Sequence, residues 1–143
     1  MKYWKQLFIS LMLLNSAAAM GGTAVTLYKS PTCSCCEKYV DYLRQNGFVV
    51  NAINQNDMDS IKKRYGVTQV SSCHTALING YVVEGHVPVA AINKMLEAKP
   101  ATIGISVPGM PMNSPGMGEM EKGTLTVYSI PKGNATLKMF SVE

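Results

Sequence analysis

The chain has no apolar run that could cross a bilayer: Leu7 to Leu14 is interrupted by Ser10 and falls far short of the ~20 residues a spanning helix needs. No cysteine follows that run directly, which argues against a lipid-anchored start. The chain also lacks strong charge of either sign. Its formal net charge is +4, and loss of Lys2 and Lys5 with an N-terminal leader would lower it to +2, too little to suggest a nucleic-acid partner. There is no internal repeat and no obvious general base, so no catalytic residue is assigned.

What remains is a chain of 143 residues, 47% of them hydrophobic, enough for one domain with a real core. Residues 1–19 read as a cleavable export signal: Lys2 and Lys5 form the positive end, the apolar run follows, and Ala17-Ala18-Ala19 supplies the cleavage site. The expected mature domain is 20–143, exported to the periplasm. Thiols outside the cytoplasm tend to be oxidised unless something holds them. Two simple disulfides suit the four cysteines badly, because Cys33, Cys35 and Cys36 crowd into four positions.

Alternation of Val25, Leu27 and Lys29 predicts a strand over 23–29, and Tyr39, Val40 and Leu43 recur at helical spacing until Asn46-Gly47. A second strand over 48–53 and a helix over 57–65 follow, with Met58, Ile61 and Tyr65 on one face. The runs 73–78 and 81–83 are joined by Asn79-Gly80, a type I′ hairpin signal. Pro88 opens a third helix, with Val89, Ile92, Met95 and Leu96 as its apolar stripe and Pro100 as its close. The expected order is βαβαββα, an α/β domain. Residues 106–118 hold three prolines, three glycines and three methionines and are expected to be loop, while 124–142 should form a C-terminal β-hairpin.

Cys33 and Cys36 make a CxxC between the first strand and first helix, the place where thioredoxin-like proteins carry their redox motif. A helix N-terminus stabilises thiolate there, and thiolate both attacks disulfides and binds metal. Cys35 favours metal: helical geometry sends Cys35 and Cys36 in directions ~100° apart, awkward for one tetrahedral zinc but suited to Cu(I) ions bridged by sulfur. Thiol-disulfide exchange on Cys33 and Cys36 is the alternative, and structural disulfides or zinc a third reading. Cys73, followed by His74, falls where a thioredoxin-like fold would place its cis-proline. VSSCHT has no proline, so a sulfur there could complete the metal site, or be a buried unreactive cysteine. His74 should point away from Cys73's partners unless the strand bulges, and His86 could be a ligand or a capping and packing residue. Met110, Met112 and Met117 follow neither structural period, and their thioethers are soft ligands that select Cu(I). Met120, nearer the hairpin, is expected to pack.

Taken together, CSCC, CH, EGHVP and GMPMNSPGM resemble the CopG family of periplasmic copper-resistance proteins, over nearly all of the expected mature chain. The resemblance implies a thioredoxin-like metal-binding domain, with metal roles for Cys33, Cys35, Cys36 and Cys73 and weaker ones for His74 and the loop methionines. It implies copper as the bound ion, Cu(I) with Cu(II) as a second state, and copper efflux or chaperone proteins as candidate partners, while the divergent directions of Cys35 and Cys36 call for more than one ion per chain. It implies either sequestration and delivery of Cu(I) or its interconversion with Cu(II). The family often has tryptophan shortly after its cysteine motif, where this chain has Tyr39.

Overall fold

The computed structural model describes residues 21–143, so the expected export signal lies outside the described residues. The elements are β1 (Ala24–Lys29), α1 (Ser34–Gln45), β2 (Val49–Asn54), α2 (Met58–Tyr65), a 3-10 turn (Thr68–Val70), β3 (Thr75–Ile78), β4 (Tyr81–Glu84), α3 (Val89–Ala98), β5 (Gly104–Ser106), β6 (Thr126–Ile130) and β7 (Lys138–Val142). The seven strands form one mixed sheet in the order β2-β1-β3-β4-β5-β6-β7. β1 runs parallel to β2, β4 runs parallel to β5, and the other neighbours are antiparallel.

Successive strand residues face opposite sides of the sheet, and the core divides accordingly. Ala76, Ile78, Val83 and Ile105 pack with Tyr39, Val40 and Leu43 of α1 and Ala91, Ile92 and Met95 of α3. Leu77 and Val82, on the other face, pack with Tyr65 at the end of α2 and with Val67 and Val70 beside it. The hairpin signal acts as expected: Asn79 and Gly80 both have positive φ, 48° and 83°, as a type I′ turn requires.

Three details differ from the sequence reading. Gly104–Ser106 is a strand, although Ser106 was expected to begin the loop; three residues are too few to show a period, and the segment is fixed by pairing with β4 and β6. The expected stripe of α2, Met58, Ile61 and Tyr65, is only half-buried, and the one buried side chain of that helix is Lys62. The strand expected to begin at Cys73 begins at Thr75, which leaves Cys73 and His74 in an irregular segment ahead of β3.

Candidate metal centre

Cys33 is the N-cap of α1, and Ser34, Cys35 and Cys36 form its first turn. β1 delivers the chain to this point, and Lys29 at its end is buried with its ammonium 2.5 Å from Glu37 and 2.7 Å from Asn54 Oδ1. That ion pair ties the first turn of α1 to β1 and β2. Cys73 arrives on the segment leading into β3, the strand next to β1. Its sulfur is 3.5 Å from that of Cys35, which is in turn 3.4 Å from Cys33 Sγ. All four sulfurs lie within 4.8 Å of one another, and this is the one group of three or more Cys, His, Asp or Glu side chains among the described residues arranged to hold an ion.

Cys33 and Cys36 are joined by a disulfide, and Cys35 and Cys73 are free. Cys36 is fully buried and the other three are half-buried, so the group opens to solvent on the Cys33, Cys35 and Cys73 side. Burial, reinforced by the Cys35 thiol, pushes the Cys73 thiol up to about 12, against smaller opposing effects of Ser72 and Lys62. Cys73 is therefore a protonated thiol at neutral pH, and a metal ion binding there must displace its proton.

The histidines lie outside the sulfur group. His74 is fully buried, its ring stacked on Tyr39 with centroids 4.4 Å apart and set edge-on to His86 at 4.8 Å. His86 bonds through Nδ1 to the Pro115 carbonyl at 2.7 Å. Among the described residues, neither nitrogen of His74, nor Nε2 of His86, has a hydrogen-bond partner. Burial holds both rings below the usual histidine range, with His74 lowered further by His86 and Lys62. They are neutral imidazoles, and His74 packs on Tyr39 and His86 without joining the four cysteines as a side chain placed to hold an ion. Tyr39, where the family often has tryptophan, is the centre of that packing: it is fully buried and its hydroxyl donates to the Val87 carbonyl at 2.7 Å.

The methionine loop runs back across this region. Gly109 pairs with Ser72, and Pro115 reaches His86. Gly116 lies against the α1 backbone so closely that an added Cβ would stand 3.0 Å from Tyr39 N. Met110 and Met112 are exposed and Met117 half-buried, while Met120, expected to pack, is also exposed. The buried residues of this loop are Val107, Ser114 and Pro115, so the loop is anchored by its neighbours and leaves two of its thioethers in solvent.

A family model described as "Protein of unknown function, DUF411" matches residues 70–117, the stretch holding Cys73, both histidines and the methionine loop. Two solved structures described as copper resistance protein CopG, in forms 1 and 2, are each 34% identical to this chain. Each alignment covers 85% of this chain and 98% of the other, with a TM-score of 0.76. The chain belongs to the CopG family. No curated protein matches it. The CopG likeness spans both halves of the sulfur group and extends beyond the part matched by the family model. Among the described residues, no helix of this CopG-family chain is long and apolar enough to cross a membrane.

Proposed function

We propose that this chain is an exported copper-binding protein of copper resistance, holding Cu(I) on Cys33, Cys35, Cys36 and Cys73 as a sulfur-bridged group of more than one ion. The observation that carries the proposal is the convergence of four sulfurs within 4.8 Å, in a member of a family whose solved structures are described as copper resistance proteins. Thiolate softness selects Cu(I), and bridging lets sulfurs that leave α1 in different directions serve different ions. A dithiol reductant that gives two electrons and two protons to the Cys33–Cys36 disulfide, closing its own disulfide, would free all four thiols. In the reverse direction, two thiols can reduce two Cu(II) to two Cu(I), releasing two protons as the disulfide closes, which is the chemistry an interconversion role would need. The strand order β2-β1-β3-β4 with the cysteine motif opening α1 supports a thioredoxin-like arrangement of one mature domain over 20–143.

One measurement tests export and copper together: native mass spectrometry with a thiol count on protein from a periplasmic extract, reduced and supplied with Cu(I). The expected chain begins near Met20, carries more than one copper and shows no free thiol, while Cys73→Ser loses at least one ion. A chain that keeps Met1 in that extract would overturn the export reading. A chain that takes up no copper, but reduces insulin at a rate comparable to thioredoxin with Cys35 or Cys73 replaced by serine, would be a thiol-disulfide oxidoreductase acting through Cys33 and Cys36. The observed disulfide makes that the second reading.

Met110, Met112 and Met117 are proposed as a first-contact site that passes Cu(I) to the thiols, supported by the solvent exposure of the first two. Replacing all three with leucine keeps the apolar bulk and removes the sulfur. Transfer of Cu(I) from a chelator should slow several-fold while the final copper count stays native. Unchanged transfer rates would return these residues to a packing role. His74 and His86 are proposed as supports outside the thiol group, and copper efflux or chaperone proteins of the periplasm as the partners that supply or receive the ion.

A further inference from the structure

The copper reading makes no use of the buried ion pair between Lys62 and Glu84. Glu84 is completely buried at the end of β4, where it pairs with Thr75 across the β3–β4 ladder. Its Oε1 lies 2.5 Å from Lys62 Nζ and accepts the Ser72 backbone N–H at 2.7 Å, and its Oε2 accepts the Thr75 hydroxyl at 2.6 Å. Lys62 Nζ also reaches Thr75 Oγ1 at 3.4 Å. The carboxylate thus accepts from Ser72, ahead of β3, and from Thr75, the first residue of β3, and these two bracket Cys73 and His74.

That bracket matters because Cys73 has no strand ladder to hold it. The following residue is tied through its carbonyl to Gly85 N at 3.0 Å, and Ser72 is tied through its hydroxyl to the Gly109 carbonyl. Gly85 has φ +79°, and a Cβ there would stand 2.6 Å from Ser72 Cβ, so the β4 turn presses directly on the segment. A buried ion pair is weak support for stability in itself, since apolar side chains of similar volume often hold a fold as well. Apolar side chains cannot accept an N–H and an O–H at fixed positions. What the charges add here is direction, and the direction is spent on Ser72 and Thr75.

We propose that Glu84, held in place by Lys62, is a positioning residue for Cys73, fixing the Ser72–Thr75 segment so that the Cys73 sulfur stays against Cys35. The proposal rests on the copper reading only for its metal readout, because the position of a thiol can be measured without metal.

The test uses the mature chain with Glu84→Gln, and with Lys62→Met and Glu84→Met together, each with Cys73 present and with Cys73→Ser. In metal-free protein with the Cys33–Cys36 disulfide intact, diamide takes up two electrons and two protons from the Cys35 and Cys73 thiols, becoming a hydrazine as their disulfide closes. Closure, followed by peptide mapping, should slow about tenfold in the double-methionine variant and less in Glu84→Gln, whose amide oxygen can still accept from Ser72. Cu(I) affinity by chelator competition should fall about tenfold where Cys73 is present and stay unchanged in the Cys73→Ser background. Native closure and affinity in a folded double-methionine variant would overturn the proposal. Equal losses with and without Cys73 would overturn it too, as would failure of both variants to fold, since each outcome makes the pair a general support of the fold. A native chain that binds no Cu(I) would overturn the copper reading alone, and the closure rates would still decide the positioning role.

Discussion

Tyr39→Ala is expected to lower the unfolding free energy of the metal-free chain by about 3–5 kcal/mol, the range for deleting a large buried aromatic side chain. The ring has no exposed edge, stacks on His74 at 4.4 Å and meets Tyr42 and His86 at 5.8 Å and 5.2 Å. Its removal opens a void lined by two histidine rings, three of whose nitrogens have no hydrogen-bond partner among the described residues. Tyr39→Phe keeps the ring and loses only the hydrogen bond to the Val87 carbonyl, so it should cost about 1 kcal/mol. Urea denaturation of the two variants beside the native chain measures both. A Tyr39→Ala loss no greater than that of Tyr39→Phe would mean that the site does not depend on this packing.

Acidification gives the second large effect, through the same cluster. His74 and His86 have folded-state pKa values below the ordinary value of 6.5, chiefly because burial disfavours their charged forms. Above about pH 6.5 both states hold these rings neutral, and their contribution to stability does not vary with pH. Below it the unfolded chain takes up protons that the folded rings refuse, so stability falls as pH falls. The expected slope is up to about 1.4 kcal/mol per pH unit for each histidine, until the folded rings themselves protonate. Urea midpoints of the metal-free chain from pH 7.5 to 5 should show this fall, and His74→Leu should reduce its steepness. A slope in that window unchanged by His74→Leu would assign the acid sensitivity elsewhere.

The residues of the sulfur group were legible in the sequence because type and spacing are local. Cys33, Cys35 and Cys36 at a helix start need only the strand signal before them and the helical period after them. Placing Cys73 beside them needed one further step, that β3 lies next to β1, and the thioredoxin-like reading of the CxxC between strand and helix supplied it. The histidine packing could not be read in this way. His74 and His86 meet only because the segment before β3 leaves the strand geometry, and nothing in VSSCHT announces that departure. Glu84 was missed for a related reason. A lone glutamate at the end of an apolar strand looks solvent-facing, and its partner Lys62 lies on a helix whose apolar spacing turned attention to Met58, Ile61 and Tyr65.

The backbone bridge between Ser72 and Gly109 bears on the order of events in time. The segment that carries Cys73 is pinned by Glu84 from β4 and by Gly109 from the loop beyond β5, while Pro115 is bonded to His86. These contacts join residues far apart along the chain, the kind that form slowly because a long loop must close before they do. A chain synthesised N-terminus first presents Cys33, Cys35 and Cys36 well before the parts that complete their surroundings. The sulfur group is therefore expected to mature last, after most of the sheet has formed, and the three early cysteines would meanwhile be open to pairing with one another.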